Sequence, residues 1–526
     1  MNRSDSVLPC CLILGCNWIL LKFFGIITNP QQASGTLFTP PFESGCSVVL
    51  AVFSTPGLSP FAIAICAVAI LERRMFGKRI GWAAHGVPSR IVVGVCVLMT
   101  AWWLVLSPHN FYFDNSHVSD RILLSMLGLS CLLRPIAVPG FVLVAYTWFG
   151  EFVFPFGYFH LSEKGAVLDV LVMFSSILAI GCVTTCFPSI GRVPRNAFVF
   201  FATIVHLQNY FWAGIEKCVV SDFCWIWTNE SWLLVLAAKL DGFSPFWIND
   251  ARLLEAMQRW NVVLNCILLL FELIVGIAFF SRRGAAVILF GCAILNATVF
   301  LLTGICFYEW AILSVVLGVI NLRMRLSNRR LAGTFGLVLL LTATYWHHPH
   351  RLGWNEVPII NIIRFEATLD SGTRVSIAEN QFAPYDRTFN YDEELLYFCM
   401  HAIGSRRQLR STEQIDLFNQ NVTSPEEFTK WQEMSGEVHF DHDRIVLFEE
   451  FLRRFCRSRI ACGDSTRVFR APYHLYRSPP LRCWDYETPI RKVDVRHIQY
   501  VALRSGVVKS TDGVVHSVQI GEFLHE

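Results

Sequence analysis

The sequence predicts a mainly α-helical protein, a polytopic membrane bundle over residues 1–346 with an α+β domain over residues 347–526 on the non-cytoplasmic side. Three observations point there. The 526-residue chain is 53% hydrophobic and 16% charged, whereas ordinary soluble domains carry about 25% charged residues. The charge is also unevenly spread. Residues 1–346 hold 22 Lys and Arg and 16 Asp and Glu, which leaves 22 and 25 for the last third. Finally, the apolar residues of the first part fall into runs of about 20, the length that crosses roughly 30 Å of hydrocarbon at ~1.5 Å per residue.

The runs can be taken in order. Residues 7–27 are apolar apart from Asn17 and Lys22, and no small-residue cleavage site follows. This reads as a retained first helix, membrane-spanning or amphipathic, rather than a leader. Clear spans follow at 46–71, 91–107, 166–187, 197–216, 260–280, 285–304 and 331–346, with a shorter one at 305–320. The run 122–154 is interrupted by Arg134-Pro135. Proline has no N–H and clashes with the preceding turn, so the run reads as two short segments meeting at Arg134. In all, about nine to eleven segments are expected.

The loops set the orientation. Arg73, Arg74, Lys78 and Arg79 form one basic cluster, Arg192 and Arg195 a second, Arg282 and Arg283 a third, and Arg323, Arg325, Arg329 and Arg330 a fourth. Alternating crossings put all four in the cytoplasm with the Arg134 break, satisfying the positive-inside rule. The N-terminus is then cytoplasmic and residue 347 onward lies outside. There, residues 360–378 alternate across Asp370-Ser371-Gly372, a hairpin signal. Ser424-Pro425-Glu426-Glu427 is a capping box with proline at the first helical position. Helices are expected over 392–403, 425–434 and 444–457, and strands over 468–476 and 493–503. Cys399, Cys456, Cys462 and Cys483 allow two disulfides in an exported domain, in any of three pairings.

The sequence also excludes much. It has no Gly-rich phosphate loop, Walker motif, Cys-x-x-Cys pair or nucleophile elbow, which argues against ATP-driven transport and common hydrolases. No basic block is long enough for a nucleic-acid surface. His439-Phe440-Asp441-His442-Asp443 and His347-His348-Pro349-His350 contain metal-ligand residue types. However, Asp443 reads as a helix N-cap and the second group as a juxtamembrane turn, so no metal is expected.

Ionisable residues inside a membrane are costly and are functional candidates by default. They are densest in His206-Leu207-Gln208-Asn209-Tyr210-Phe211-Trp212-Ala213-Gly214-Ile215-Glu216-Lys217. His206, Tyr210, Ala213 and Lys217 recur at spacings of four, three and four, so a helix places them on one face. Lys217 stands beside the aromatic segment Phe223-Cys224-Trp225-Ile226-Trp227. Either it is desolvated and acts as a base, or it snorkels to the headgroups. Glu272 and Glu309 also fall in apolar segments and each needs a partner. Arg134, Lys217 and His206 are the candidates.

Tyr210-Phe211-x-Ala213-Gly214-x-x-Lys217, followed by a Trp-rich loop, resembles the signature helix of the vitamin K-dependent gamma-glutamyl carboxylases and their HTTM relatives. Ser244-Pro245-Phe246 and the stretch Leu295-Asn296-x-x-Val299-Phe300-x-x-x-Gly304-x-x-Phe307 resemble further family segments, so the resemblance spans about residues 90–320. It implies that Lys217 is the catalytic base, which deprotonates a reduced vitamin K-type quinone. It further implies that His206, Tyr210 and Trp212 bind the quinone, and that His160 is a second catalytic group, an oxyanion or hydrogen-bond partner. The implied reaction couples quinol oxygenation to carboxylation of an exported protein or peptide, which makes the chain a carbon–carbon lyase that epoxidises quinol. Two features depart from the family: Asn296 stands where many relatives have His, and residues 347–526 do not match the carboxylase's lumenal portion. The alternative is a non-catalytic HTTM-type scaffold, or a transporter, that presents the exported domain.

Overall fold

The computed structural model describes residues 7–27, 81–106, 118–148, 162–191, 196–220, 259–303, 307–323 and 329–346. It also describes several strand backbones beyond them and isolated positions in between. Eleven α-helices are described: α1 Val7–Ile27, α2 Trp82–Leu106, α3 Val118–Leu133, α4 Val138–Trp148, α5 Ser162–Cys186, α6 Ala197–Val220, α7 Asn261–Ile274, α8 Arg282–Thr303, α9 Tyr308–Arg323, α10 Arg329–Leu341 and the single turn α11 Ala343–Trp346. Most of the span at 46–71 and the basic cluster at 73–79 lie outside the described residues.

Hydrocarbon offers the backbone no partners, so each spanning segment must close its own hydrogen bonds, which a helix does. Hydroxyls in the bundle follow the same rule. Ser89, Ser125, Thr147, Ser175, Ser176 and Thr203 each donate to the carbonyl four residues earlier, at 2.7–3.0 Å.

The break at Arg134 is as the residues dictate. Helix α3 stops at Leu133, Arg134 is extended (φ −136°, ψ 119°), and a 3-10 turn, Pro135–Ala137, leads into α4. Helix α2 begins earlier than its apolar run, at Trp82. Gly86 (φ 81°, ψ 163°) kinks this extra stretch just before Pro88, and an L side chain rarely adopts that φ. The span at 260–280 changes character midway. Helix α7 ends at Ile274 and continues as the 3-10 segment Val275–Phe280. There Gly276, Phe279 and Phe280 pack against Leu337, Gly336 and Gly333 of α10.

Helices α5 and α6 form the centre, with 78% and 83% of their apolar windows buried, against 39% for the span of α7 and 33% for α8. A helix that is apolar all round belongs in an interior, and these two are ringed accordingly. Helices α1, α2 and α4 pack on α5, α7 and α10 pack on α6, and α8 packs on α9, which itself reaches α2, α5 and α6.

Beyond the bundle, main-chain pairing joins β1 Ile359–Leu369, β2 Arg374–Ile377, β5 Val495–Val508 and β6 Val515–Gly521 in the antiparallel order β2-β1-β5-β6. Thr368 stands opposite Arg374 where β1 and β2 pair. A short pair, β3 Cys399–Met400 and β4 His439–Phe440, stands apart. Of the helix expected over 392–403 the structure describes only Cys399–Met400, and these pair as strand β3 rather than continue a helix, while the helix expected over 444–457, the strand at 468–476 and Cys456, Cys462 and Cys483 lie outside the described residues.

Candidate functional site

Most polar residues of α6 are buried within the bundle. Thr203, His206, Tyr210 and Lys217 are all buried, Lys217 being 6% exposed. They form one file along the helix, and their partners come from three neighbours, α7, α8 and α9.

At the α7 side, Lys217 Nζ donates to both carboxylate oxygens of Glu272, each at 2.7 Å. Glu272 is 3% exposed. Lys217 is therefore desolvated, but it has a partner that its sequence surroundings did not announce. It neither snorkels nor lies unpaired among aromatic rings, because α7 brings a carboxylate into the bundle to meet it. Gly214 makes that possible. A Cβ built there would stand 2.9 Å from the Cβ of Glu272, closer than side chains tolerate, so only glycine lets α6 and α7 approach this closely. Of the three candidate partners for Glu272, the structure selects Lys217. Glu309, at the start of α9, is also buried.

One turn down from Gly214, Asn296 of α8 donates its amide N–H to the Tyr210 phenol oxygen at 2.6 Å. One turn further, His206 Nε2 lies 2.6 Å from the Ser314 hydroxyl of α9. Still further along, Asn321 donates to Thr203 Oγ1 at 3.0 Å. Aromatic rings close around the middle of the file. Trp310 stands 5.4 Å from Tyr210 and 6.3 Å from His206, and Phe307 stands 5.8 Å from Trp310. His206 is fully buried, and its Nδ1 has no hydrogen-bond partner among the described residues.

Of the residues singled out in the sequence, Lys217, His206 and Tyr210 thus share one face. Trp212 does not join them. Two positions on from Tyr210, a residue sits about 200° round the helix, and the Trp212 indole N–H donates to the Leu340 carbonyl of α10 at 3.0 Å. His160 lies outside the described residues. Sequence reasoning missed Ser314 and Asn321. Their spacing of seven on α9 is the one available signal, since it puts both on one helical face.

Among the described residues, five helices are long and apolar enough to cross a membrane, and with this charged and polar interior they define the class: a helical integral membrane protein. No family model, curated protein or solved structure matches the chain.

Proposed function

We propose that the chain is a membrane enzyme of the vitamin K-dependent gamma-carboxylase-like kind, in which Lys217 and Glu272 handle the proton of a reduced quinone-type cofactor. The observation that carries this reading is the burial of Lys217 against Glu272. A membrane interior accepts such charges only at a cost, and they mark proton and substrate sites more often than lipid contacts. One proton shared between Nζ and a carboxylate oxygen leaves the pair neutral overall whichever atom holds it. With the proton on Glu272, the Lys217 amine is a base in a dry site.

The residues fit a quinone-type ring on two counts. The rings of Tyr210, Trp310 and Phe307 offer aromatic faces, and the buried His206 Nδ1 can bond a ring oxygen. These residues, with Lys217, would hold the group. When bound, it supplies a strong base through its oxygen-dependent oxidation. His206 and Tyr210 orient it, Lys217 and Glu272 hold the proton taken from it, and the packed helices exclude water. Trp212, turned towards α10, is left as a packing residue in this reading. Any role for His160 is carried by the resemblance alone.

Purified protein should form epoxide from a reduced naphthoquinone in the presence of oxygen, and Lys217→Ala should abolish it. No epoxide from well-folded wild type across several quinols would instead favour a non-catalytic scaffold. That second reading is supported by Gly214, since a glycine-enabled clamp between α6 and α7 suits a static brace equally well.

The reading places the N-terminus in the cytoplasm, and residues 347–526 outside as a separate domain that presents an exported protein or peptide substrate. Its support is the distribution of arginine and lysine among the loops. A membrane-impermeant maleimide added to intact cells should label Asn421→Cys and spare Arg325→Cys, in a background lacking other reactive thiols. The reverse pattern would sink the assignment.

A further inference from the structure

A serine inside a helix ordinarily gives its hydroxyl proton to the carbonyl four residues earlier, as Ser175 and Ser176 do on α5. Ser314 of α9 uses its hydroxyl between helices instead. Its Oγ lies 2.6 Å from Nε2 of His206 on α6, and both residues are wholly buried. The other ring nitrogen, Nδ1, is buried too and has no hydrogen-bond partner among the described residues. The imidazole stands among aromatic rings, its centroid 5.5 Å from that of Tyr210 and 6.3 Å from that of Trp310. Asn296 of α8 in turn holds the Tyr210 phenol at 2.6 Å.

A neutral imidazole has one N–H and one bare nitrogen, and the bond made at one nitrogen fixes which atom carries the proton. The two possible bonds at Nε2 are unequal. A bare imidazole nitrogen accepts more strongly than a hydroxyl oxygen, so the short contact is made best with Ser314 donating. The ring proton then sits on Nδ1, on the side of the ring turned away from Ser314. A buried donor without a partner is unfavourable. This N–H therefore calls for an acceptor that the described residues do not supply.

We propose that Ser314 is a positioning residue that holds the His206 proton on Nδ1, so that the site takes its ligand through a ring carbonyl. The inference rests on the reading of His206 as a quinone-binding residue. A carbonyl oxygen only accepts, so it completes the N–H and needs nothing further. A quinol hydroxyl brings a proton of its own, which must find a second acceptor. The oxidised ring, with carbonyls and no hydroxyl, is thus held more tightly at His206 than the reduced ring. With the proton on Nε2 the preference would reverse, because a bare Nδ1 asks for a hydroxyl.

The first arm of the test needs no quinone. Nitrogen NMR on purified full-length protein labelled at histidine reads which ring nitrogen is protonated, the His206 signals being identified by their loss in His206→Gln. Wild type should carry the proton on Nδ1. Ser314→Ala should move it to Nε2, and Ser314→Thr, which keeps the hydroxyl, should return it to Nδ1. A serine that merely fills space would leave the tautomer unchanged. A wild-type proton on Nε2 overturns the proposal even if the variants do not fold, as does an unchanged tautomer in a folded Ser314→Ala. The second arm uses menadione. Its carbonyl infrared band should move to lower frequency on binding wild type, and its affinity should fall about tenfold in Ser314→Ala, the worth of one buried hydrogen bond. Methylnaphthalene, the same ring without oxygens, should not distinguish the two proteins. Equal menadione affinities would overturn the carbonyl preference. A proton on Nδ1 in a wild type that binds no menadione would instead remove the quinone reading, with its carbonyl ligand, and leave Ser314 as the residue that sets the tautomer.

Discussion

Lys217→Met is expected to destabilise the bundle by about 3–5 kcal/mol, the usual cost of removing one partner from a buried ion pair. Lys217 Nζ satisfies both oxygens of Glu272, and neither residue is more than 6% exposed. Without the ammonium, the carboxylate is stranded in the interior. Glu272→Leu should cost a similar amount, because it strands the lysine instead. The double variant Lys217→Met/Glu272→Leu should recover most of the loss, since replacing both charges by apolar groups of similar volume is commonly neutral or stabilising by about 1–4 kcal/mol. Unfolding in detergent, read for all four proteins, gives the coupling directly. Additive single effects would show that the two charges do not depend on each other. The double variant also separates folding from chemistry: on the proposed function it is a stable protein that forms no epoxide.

Five of the expected spans, at 91–107, 166–187, 197–216, 260–280 and 285–304, were legible because the length of an apolar run is a property of the chain itself. Helix α1 and the break at Arg134 were readable for the same kind of reason, one from composition and the other from proline's missing N–H. What could not be read depends on neighbours. The change to 3-10 geometry at Val275 accompanies the packing of Gly276 against Leu337, at 2.9 Å from a built Cβ, and no local signal in residues 260–280 announces α10. The early start of α2 hangs on a single glycine at φ 81°.

The site divides in the same way. The spacing of His206, Tyr210 and Lys217 identifies their common face, because helical periodicity is local. The choice of Lys217 for Glu272, from Arg134, Lys217 and His206, needed the crossing of α6 and α7 at Gly214. Trp212 was grouped with its sequence neighbours although its helical position turns it towards α10. Ser314 went unnoticed because a serine in an apolar helix ordinarily bonds its own backbone. Here it instead meets His206, 108 positions away.

Arg121→Leu is the other large expected effect, and it concerns the ends of α2, α3 and α4. Helix α2 ends at Leu106, so the carbonyls of Leu104 and Val105 are among the last four, which no residue of their own helix can satisfy. Arg121, in the first turn of α3, supplies the missing donors. Its Nη1 bonds the Val105 carbonyl and reaches that of Leu104 at 3.3 Å. A cation at a helix C-terminus also meets the negative end of the helix dipole. The guanidinium lies 5.6 Å from the Trp148 ring at the end of α4, so one buried side chain ties together the ends of three helices. Charged hydrogen bonds contribute about 1.5–3 kcal/mol each and a desolvated cation–π contact about 2 kcal/mol, so the loss should reach at least ~3 kcal/mol. Arg121→Lys should recover only part of it, because one ammonium cannot reproduce the planar fork that bonds carbonyls while stacking on an indole. Thermal unfolding in detergent should therefore rank wild type above Arg121→Lys above Arg121→Leu. Full recovery by lysine would mean that charge alone holds these ends together and that the stacking on Trp148 contributes nothing.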